Sequence, residues 1–294
     1  MQIVKHPIET LENLIIVRPP YFALKNLYYD EEDFFYAEPD NEYLYKYEGG
    51  PMATAEFGRH LAILGSVALA KKYSIHEANY YLATKAFIKR SDTRVYTSDK
   101  LLLSLSYQHL ENKKASVTGR LTDHHGMTVF EGSVEYRIMS QNVFGRLHSQ
   151  YKVDQITTGE KHPYKHRKVF RQRIYAGETA IGHYGLIKPE HCEGHFQHFP
   201  ALPVAIVGNL FSQLSIDLMR KITGLKNHKF VLTDSMINSY NLAFHGEKVI
   251  IHAKLVKSLS PTKAVTHCEA TTEKGKFADA QIELEAAVYK LIEK

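Results

Sequence analysis

The chain has no tryptophan and only two cysteines, Cys192 and Cys268, among its 294 residues. Two thiols cannot supply a disulfide framework, so the fold must rest on an apolar core. No run of about eighteen uncharged apolar residues occurs, which excludes a transmembrane helix. The opening residues, MQIVKHPIETLENL, lack the apolar block and small-residue cleavage site of a secretory signal. A soluble, cytoplasmic protein is expected. Excess charge is also scarce. There are 37 Lys+Arg against 32 Asp+Glu, a net +5, with no dense basic stripe, so nucleic acid is not an expected partner. No GxGxxG, Walker-type phosphate loop or GxSxG elbow is present. What remains is an ordinary globular composition, 44% hydrophobic and 23% charged. The length suits about two domains.

Two segments carry helical periodicity, each behind a proline. In the stretch from Pro51, Phe57, His60, Leu61, Leu64, Val67 and Ala68 fall at helix spacing. In the stretch from Pro203, Val207, Leu210, Phe211, Leu214 and Leu218 form one stripe, and Gly224 stands where a helix C-cap belongs. Both are apolar nearly all round, which predicts burial. Four runs with strand alternation follow each: NYYLATKAFIKR to MTVFEGSVEYRI in the first half, HKFVLTDSMINSY to KFADAQIELEAAVY in the second. The two prolines are 152 residues apart, close to half the chain. This is an internal duplication at the level of pattern. It predicts an α+β architecture in which a buried helix is wrapped by an antiparallel sheet, twice over. The repeats are placed at 1–145 and 166–294, with 146–165 as linker. Pairing one open edge from each repeat makes a continuous sheet, a physical reason for the fusion.

The segment KPEHCEGHFQHFPALPVAIVGNLFSQL, residues 188–214, is the richest in chemistry. Gly194, Pro200 and Pro203 impose an irregular turn and place His195 beside the N-terminus of the second helix. An imidazole titrates near neutrality and can take a proton. The helix end offers N–H groups to an oxyanion. His191, Cys192, His195 and His198 are poor candidates for a metal cluster, because HCEGH lacks the HExxH order and cannot be helical. His124 and His125 fall in a hairpin turn, where solvation is expected.

GHFxxxPxxP leading into a buried helix resembles the 3-hydroxyacyl-ACP dehydratases of the hot-dog fold. Gly194, His195, Phe196, Pro200 and Pro203 stand in register with that family's motif, as does Gln213. The chain departs from it at Gln197-His198, at Val204, and at Asn209, which replaces the family's acidic residue. In that family the histidine comes from one subunit and the acid from the other. The first helix supplies Glu56, with His60 four residues on, and this Glu-x3-His mirrors Asn209-x3-Gln213 after a one-residue shift relative to the prolines. The resemblance therefore implies a double hot-dog with one composite site, His195 from one half and Glu56 from the other. The opposite pseudo-site would pair Asn209 with the region around Tyr43 and be inactive. The first helix is also similar, over a shorter stretch, to the A-factor-biosynthesis hot-dog repeats.

The implied activity is dehydration or hydration of 3-hydroxyacyl thioesters in fatty-acid or polyketide-type biosynthesis. His195 would remove the α-proton and Glu56 would protonate the departing hydroxyl. N–H groups after Pro203 would polarise the thioester carbonyl. Gly194, Phe196, Pro203, Val204, Asn209, Gln213 and His60 would hold the substrate. The partner would be an acyl carrier protein or acyl-CoA, with phosphopantetheine carried by the substrate and no metal or redox cofactor. Whether chains pair as homodimers stays open. Two alternatives remain: a hot-dog thioesterase, with Glu56 activating water or attacking the carbonyl, and a non-catalytic acyl-binding or A-factor-like protein. Each residue also has a plainer reading. Glu56 could be a first-turn acid favoured by the helix dipole, His195 a hydrogen-bonded loop histidine, and Asn209 and Gln213 remnants.

Overall fold

The computed structural model describes residues 6–7, 12–43, 48–72, 77–91, 100–154, 162–166, 169–196 and 198–287. Part of the proposed linker and Gln197 lie outside them. In the N-terminal half, β1 (His6–Pro7), the short helix α1 (Glu12–Ile15), β2 (Leu24–Tyr29) and β3 (Phe35–Pro39) precede a long helix, α2 (Thr54–Lys72). The strands β4 (Asn79–Arg90), β5 (Leu101–Glu111), β6 (Lys114–Asp123) and β7 (Thr128–Ser140) follow it. Helix α3 (Gln141–Leu147) opens the connection. The second half repeats the plan with β8 (Gln172–Ala176), β9 (Thr179–Leu186), helix α4 (Val204–Thr223), and then β10 (Phe230–Ser239), β11 (Lys248–Ser260), β12 (Lys263–Thr272) and β13 (Gly275–Ala286).

All thirteen strands join one sheet in the order β1-β2-β3-β5-β6-β7-β4-β10-β13-β12-β11-β9-β8. Read outward from the antiparallel β4–β10 pair, the two halves have the same strand order. This is the double hot-dog arrangement, with both helices wrapped by the curled sheet. The pattern of a helix followed by four strands holds. Strands also precede each long helix, β1, β2 and β3 in one half and β8 and β9 in the other, where no strands were expected. They are short and half-polar, so they carry too few alternations to stand out.

The duplication extends to the irregularities. Register shifts fall at Ala83/Lys85 and Leu232/Asp234, at Tyr107/His109 and Leu255/Lys257, and at Leu121/Thr122 and Ala270/Thr271. Each pair is 148 or 149 residues apart. The bulge residues in the first pair are Thr84 and Thr233. Their hydroxyls donate to the carbonyls of Glu135 and Glu283, which occupy matching positions on the neighbouring strand. Bulges persist because they fix a bend. Their recurrence sets the halves in register independently of residue identity.

The helices are held by burial. Fifteen of the 19 residues of α2 and 12 of the 20 in α4 are buried. Phe57, Leu61, Leu64 and Val67 are fully enclosed. Each such side chain contributes about 1.5–3 kcal/mol, far more than helix propensity supplies. α4 begins after Pro203 and ends on Gly224, whose left-handed φ of 72° closes the C-cap as its position predicted. Gly58 lets α2 approach Ile88 of β4, and Gly208 lets α4 approach Ile237 of β10. These matching contacts fix the helix correspondence at 150 residues: Glu56 answers to Ile206, Arg59 to Asn209 and Ile63 to Gln213. The Glu56–Asn209 alignment read from the Glu-x3-His and Asn-x3-Gln spacing is therefore three residues out, and the proline spacing of 152 is itself two out. Prolines sit in loops of unequal length, whereas the close-packed glycines cannot shift. Among the described residues, no helix is long and apolar enough to cross a membrane.

Candidate active site

His195 is set by a tightly built loop. Gly194 has φ +79°, and a Cβ there would collide with the Arg18 carbonyl and the Tyr21 amide. Only glycine lets the 17–21 segment lie this close. Arg18 N–H donates to the Gly194 carbonyl at 2.8 Å, and Val17 forms a bridge with His195. The Phe196 ring stacks on the imidazole at 3.8 Å, and the Tyr21 ring lies 4.7 Å from it. Phe196 is held edge-on by Tyr80, whose ring stacks on that of Phe144 in α3. The segment after β7 is thus part of the site's support.

His195 Nδ1 lies 2.9 Å from the Ala201 carbonyl. Burial holds the imidazole pKa down to about 4, although the Ala201 bond acts in the opposite direction. The neutral ring must then carry its proton on Nδ1, since a carbonyl can only accept. Nε2 is left as the acceptor. His195 borders a cavity of about 290 Å³ between α2, β4 and the 239–242 turn. Its walls mix apolar side chains, among them Val17, Ile63, Leu82, Met139 and Leu202, with polar ones that include Arg137, His148 and Asn241. Val204, the first residue of α4, also lines it. Its N–H belongs to the helix turn that has no intrahelical acceptor. Among the described residues, no Asp or Glu lines this cavity.

Glu56 lies elsewhere. It borders a second, smaller chamber of about 30 Å³, lined by Ala55, Glu56 and Arg59 of α2 and by Ala205, Ile206 and Asn209 of α4. These are equivalent positions on the two helices, so this chamber sits on the pseudo-twofold axis. Glu56 Oε1 accepts from the amides of Glu42 (2.6 Å) and Tyr43 (3.1 Å). Arg59 is ion-paired with Glu42, which also accepts from His162 at 2.9 Å, and the guanidinium lies 4.5 Å above the Tyr164 ring. Burial outweighs Glu42 and keeps the His162 pKa below its ordinary value, so Nε2 serves as a neutral donor. Asn209 Oδ1 accepts from Tyr43 Oη (3.1 Å) and Gln213 Nε2 (2.5 Å), which joins Asn209 to the Tyr43 region as the twofold required. His60 is fully buried and borders neither space. Its Nε2 lies 2.9 Å from the Asp40 carbonyl, and burial drives its pKa well below the ordinary value.

His195, Phe196 and Val204 therefore line one cavity, with Gly194 and Pro203 as their chain neighbours outside its wall, while Glu56, Asn209 and Gln213 assemble at the axis. The two carboxyl and imidazole groups meant to share one substrate do not share a cavity. The position on α2 that answers to Asn209, where the family's acid would stand, holds Arg59. A guanidinium cannot protonate a leaving hydroxyl. Sequence reading also missed Arg59 and Tyr21. The paired F-G-R and V-G-N triplets could have revealed the first.

No protein-family model matches the sequence, and no curated protein matches it. Solved structures do. A tesB protein of Mycobacterium avium subs paratuberculosis aligns with TM-score 0.57 at 8% identity, covering 87% of this chain and 93% of its own. The 12:0-ACP thioesterase of Umbellularia californica aligns at 0.56 and 10%, covering 86% and 94%. An acyl-ACP thioesterase of Bacteroides thetaiotaomicron aligns at 0.53 and 8%, covering 87% and 99%. At such identities the likeness establishes the hot-dog fold. The dehydratase expectation is corrected: these three similar structures are named as thioesterases or a tesB protein, and among the described residues no acid lines the histidine's cavity.

Proposed function

We propose that the protein hydrolyses acyl thioesters in the His195 cavity. The observation that carries this reading is a neutral imidazole, fixed through Nδ1, at a cavity with an apolar side that also contains a helix N-terminus and has, among the described residues, no carboxylate in its wall. Hydrolysis needs one base, one oxyanion site and water. The acyl chain lies along Ile63, Met139 and Leu202. The thioester carbonyl points to the start of α4, where the Val204 N–H meets the developing oxyanion. His195 Nε2 takes a proton from the attacking water. The C–S bond then breaks, and the same proton passes to the departing sulfur. Negative charge on the tetrahedral intermediate raises the basicity of the ring as the reaction proceeds. Further support comes from the thioesterase names of the similar structures. The carrier arm belongs to the substrate.

The test is a panel of acyl-CoA and acyl-ACP substrates, followed both by thiol release and by enoyl absorbance. Thiol should appear without enoyl product. His195→Gln should cut the rate about 10²- to 10⁴-fold, the range of a lost general base. Enoyl formation, or full hydrolysis by His195→Gln, would overturn the reading.

A further inference from the structure

A third cleft, of about 360 Å³, opens on the surface between the 162–166 segment and β9. Five of its lining residues are basic or protonatable: His162, His166, Arg171, Lys188 and His191. Its single carboxylate, Glu190, lies 3.4 Å from Lys188 Nζ and is offset by it. His162 and His191 have internal partners, Glu42 and the Tyr184 hydroxyl. The Arg171 guanidinium does not: it makes no ion pair or side-chain hydrogen bond among the described residues.

Arg171 is nonetheless placed. Its backbone N–H donates to the His183 carbonyl at 2.8 Å, and its side chain runs over Gly185. A Cβ on Gly185 would stand 2.7 Å from Arg171 Nε and 3.0 Å from its Cδ. Gly185 has φ +96°, a conformation other residues rarely adopt. The backbone thus leaves a groove for a guanidinium that has no anion of its own. A planar five-donor fork of this kind is suited to two oxygens of one phosphate. Lys188 stands on the same wall, its charge shared with Glu190. Beside these charges Val169 and Leu186 are 63% and 40% exposed, an apolar rim for a ligand that is more than a bare ion.

We propose that this cleft is a binding site for a phosphate ester, with Arg171 as the phosphate fork. The site borders neither Val204 nor His195, so it is independent of the hydrolytic reading.

Calorimetric titration with inorganic pyrophosphate at low salt tests it directly. One saturable site is expected. Arg171→Gln should weaken it about tenfold or more, the consequence of losing one charged hydrogen-bonding partner. Gly185→Ala keeps the charge but displaces the fork, and should weaken it as well. Lys114→Gln, an exposed change in the other half of the sheet, should leave it intact. Thermal melts of each variant confirm folding. Titration with CoA then separates the sources. Loss of CoA affinity in Arg171→Gln identifies a carrier-arm phosphate, and retention with loss of pyrophosphate identifies a free phosphate compound. Absence of saturable pyrophosphate binding, or equal affinity in Arg171→Gln and Lys114→Gln, would overturn the proposal.

Discussion

The two central helices occupy equivalent places and carry different polar groups. α2 and α4 each approach their strand through a glycine, Gly58 and Gly208, against an isoleucine, Ile88 and Ile237. Around those fixed points, Glu56, Arg59 and Ile63 on α2 face Ile206, Asn209 and Gln213 on α4. The charges of α2 therefore gather in the chamber on the axis. There they are tied to Glu42, the Glu42 and Tyr43 amides and His162. At the matching positions α4 carries no charged group, and the cavity beside its N-terminus is bordered by the His195 imidazole, whose Nε2 is left as the acceptor. A duplicated scaffold has kept its packing in both copies while placing the buried charges and the proposed hydrolytic site in different cavities.

The largest effect expected from this contrast is on stability. Arg59→Leu removes the cation from a pair whose side chains are 2% and 7% exposed. It leaves the Glu42 carboxylate buried with only a neutral histidine. Breaking such a pair costs about 3–5 kcal/mol, whereas Asn209→Ala at the equivalent position should cost about 1 kcal/mol. Denaturant titration of both variants measures the difference. Equal losses would show that the axis chamber is not where α2 stores its charge.

A second, smaller effect separates the halves by pH. His195 falls from an ordinary pKa of 6.5 to about 4 through burial, and His60 is lowered in the same direction. Above 6.5 the ring is neutral in both folded and unfolded chains. As the pH drops towards 4, the unfolded chain binds a proton that the folded ring refuses. Stability is therefore lost on acidification through that window. His195→Gln should flatten part of the acid limb, and His60→Gln another part, when ΔG of unfolding is followed from pH 7 to 4. Hydrolysis by the wild type should stay level across neutrality, because the neutral ring persists to about 4. An unchanged acid limb in His195→Gln would show that the ring is not held neutral by the fold.

Much of the fold was legible because burial leaves periodic traces. The all-round apolar helices, four alternating runs after each, and Gly224 at a helix end all follow from packing that local sequence must satisfy. The loop at Gly194 was legible for a related reason: a glycine before a histidine and two prolines restrict the backbone wherever they occur. The helix register was not. It depends on which residue of α2 meets Ile88 across about thirty residues of intervening chain, a tertiary fact. Matching Glu-x3-His to Asn-x3-Gln, one residue out of step with Pro51 and Pro203, put Glu56 onto Asn209 and suggested a shared site. Arg171 was invisible for the same reason, since nothing in the sequence ties it to Gly185, and the strands before each helix were too short to register.

The finest comparison concerns the scaffold itself, and here the halves should agree. Thr84 and Thr233 occupy matching bulges, and each hydroxyl reaches the carbonyl of the glutamate on the adjoining strand, at 3.2 and 3.4 Å. Thr233 also donates to the Glu283 side chain at 2.8 Å. Replacing either by valine keeps the shape and deletes one polar contact, a change of about 0.5–1.5 kcal/mol. Thr233→Val should sit at the upper end, because it also gives up a charged acceptor, and Thr84→Val at the lower. The double variant should be additive within about 0.5 kcal/mol, because no partner is shared between the sites. Strong coupling between them would mean that the β4–β10 seam transmits strain between the halves. Additivity would mean that each repeat carries its own bulge as an independent unit, leaving the helices as the place where the two copies have diverged.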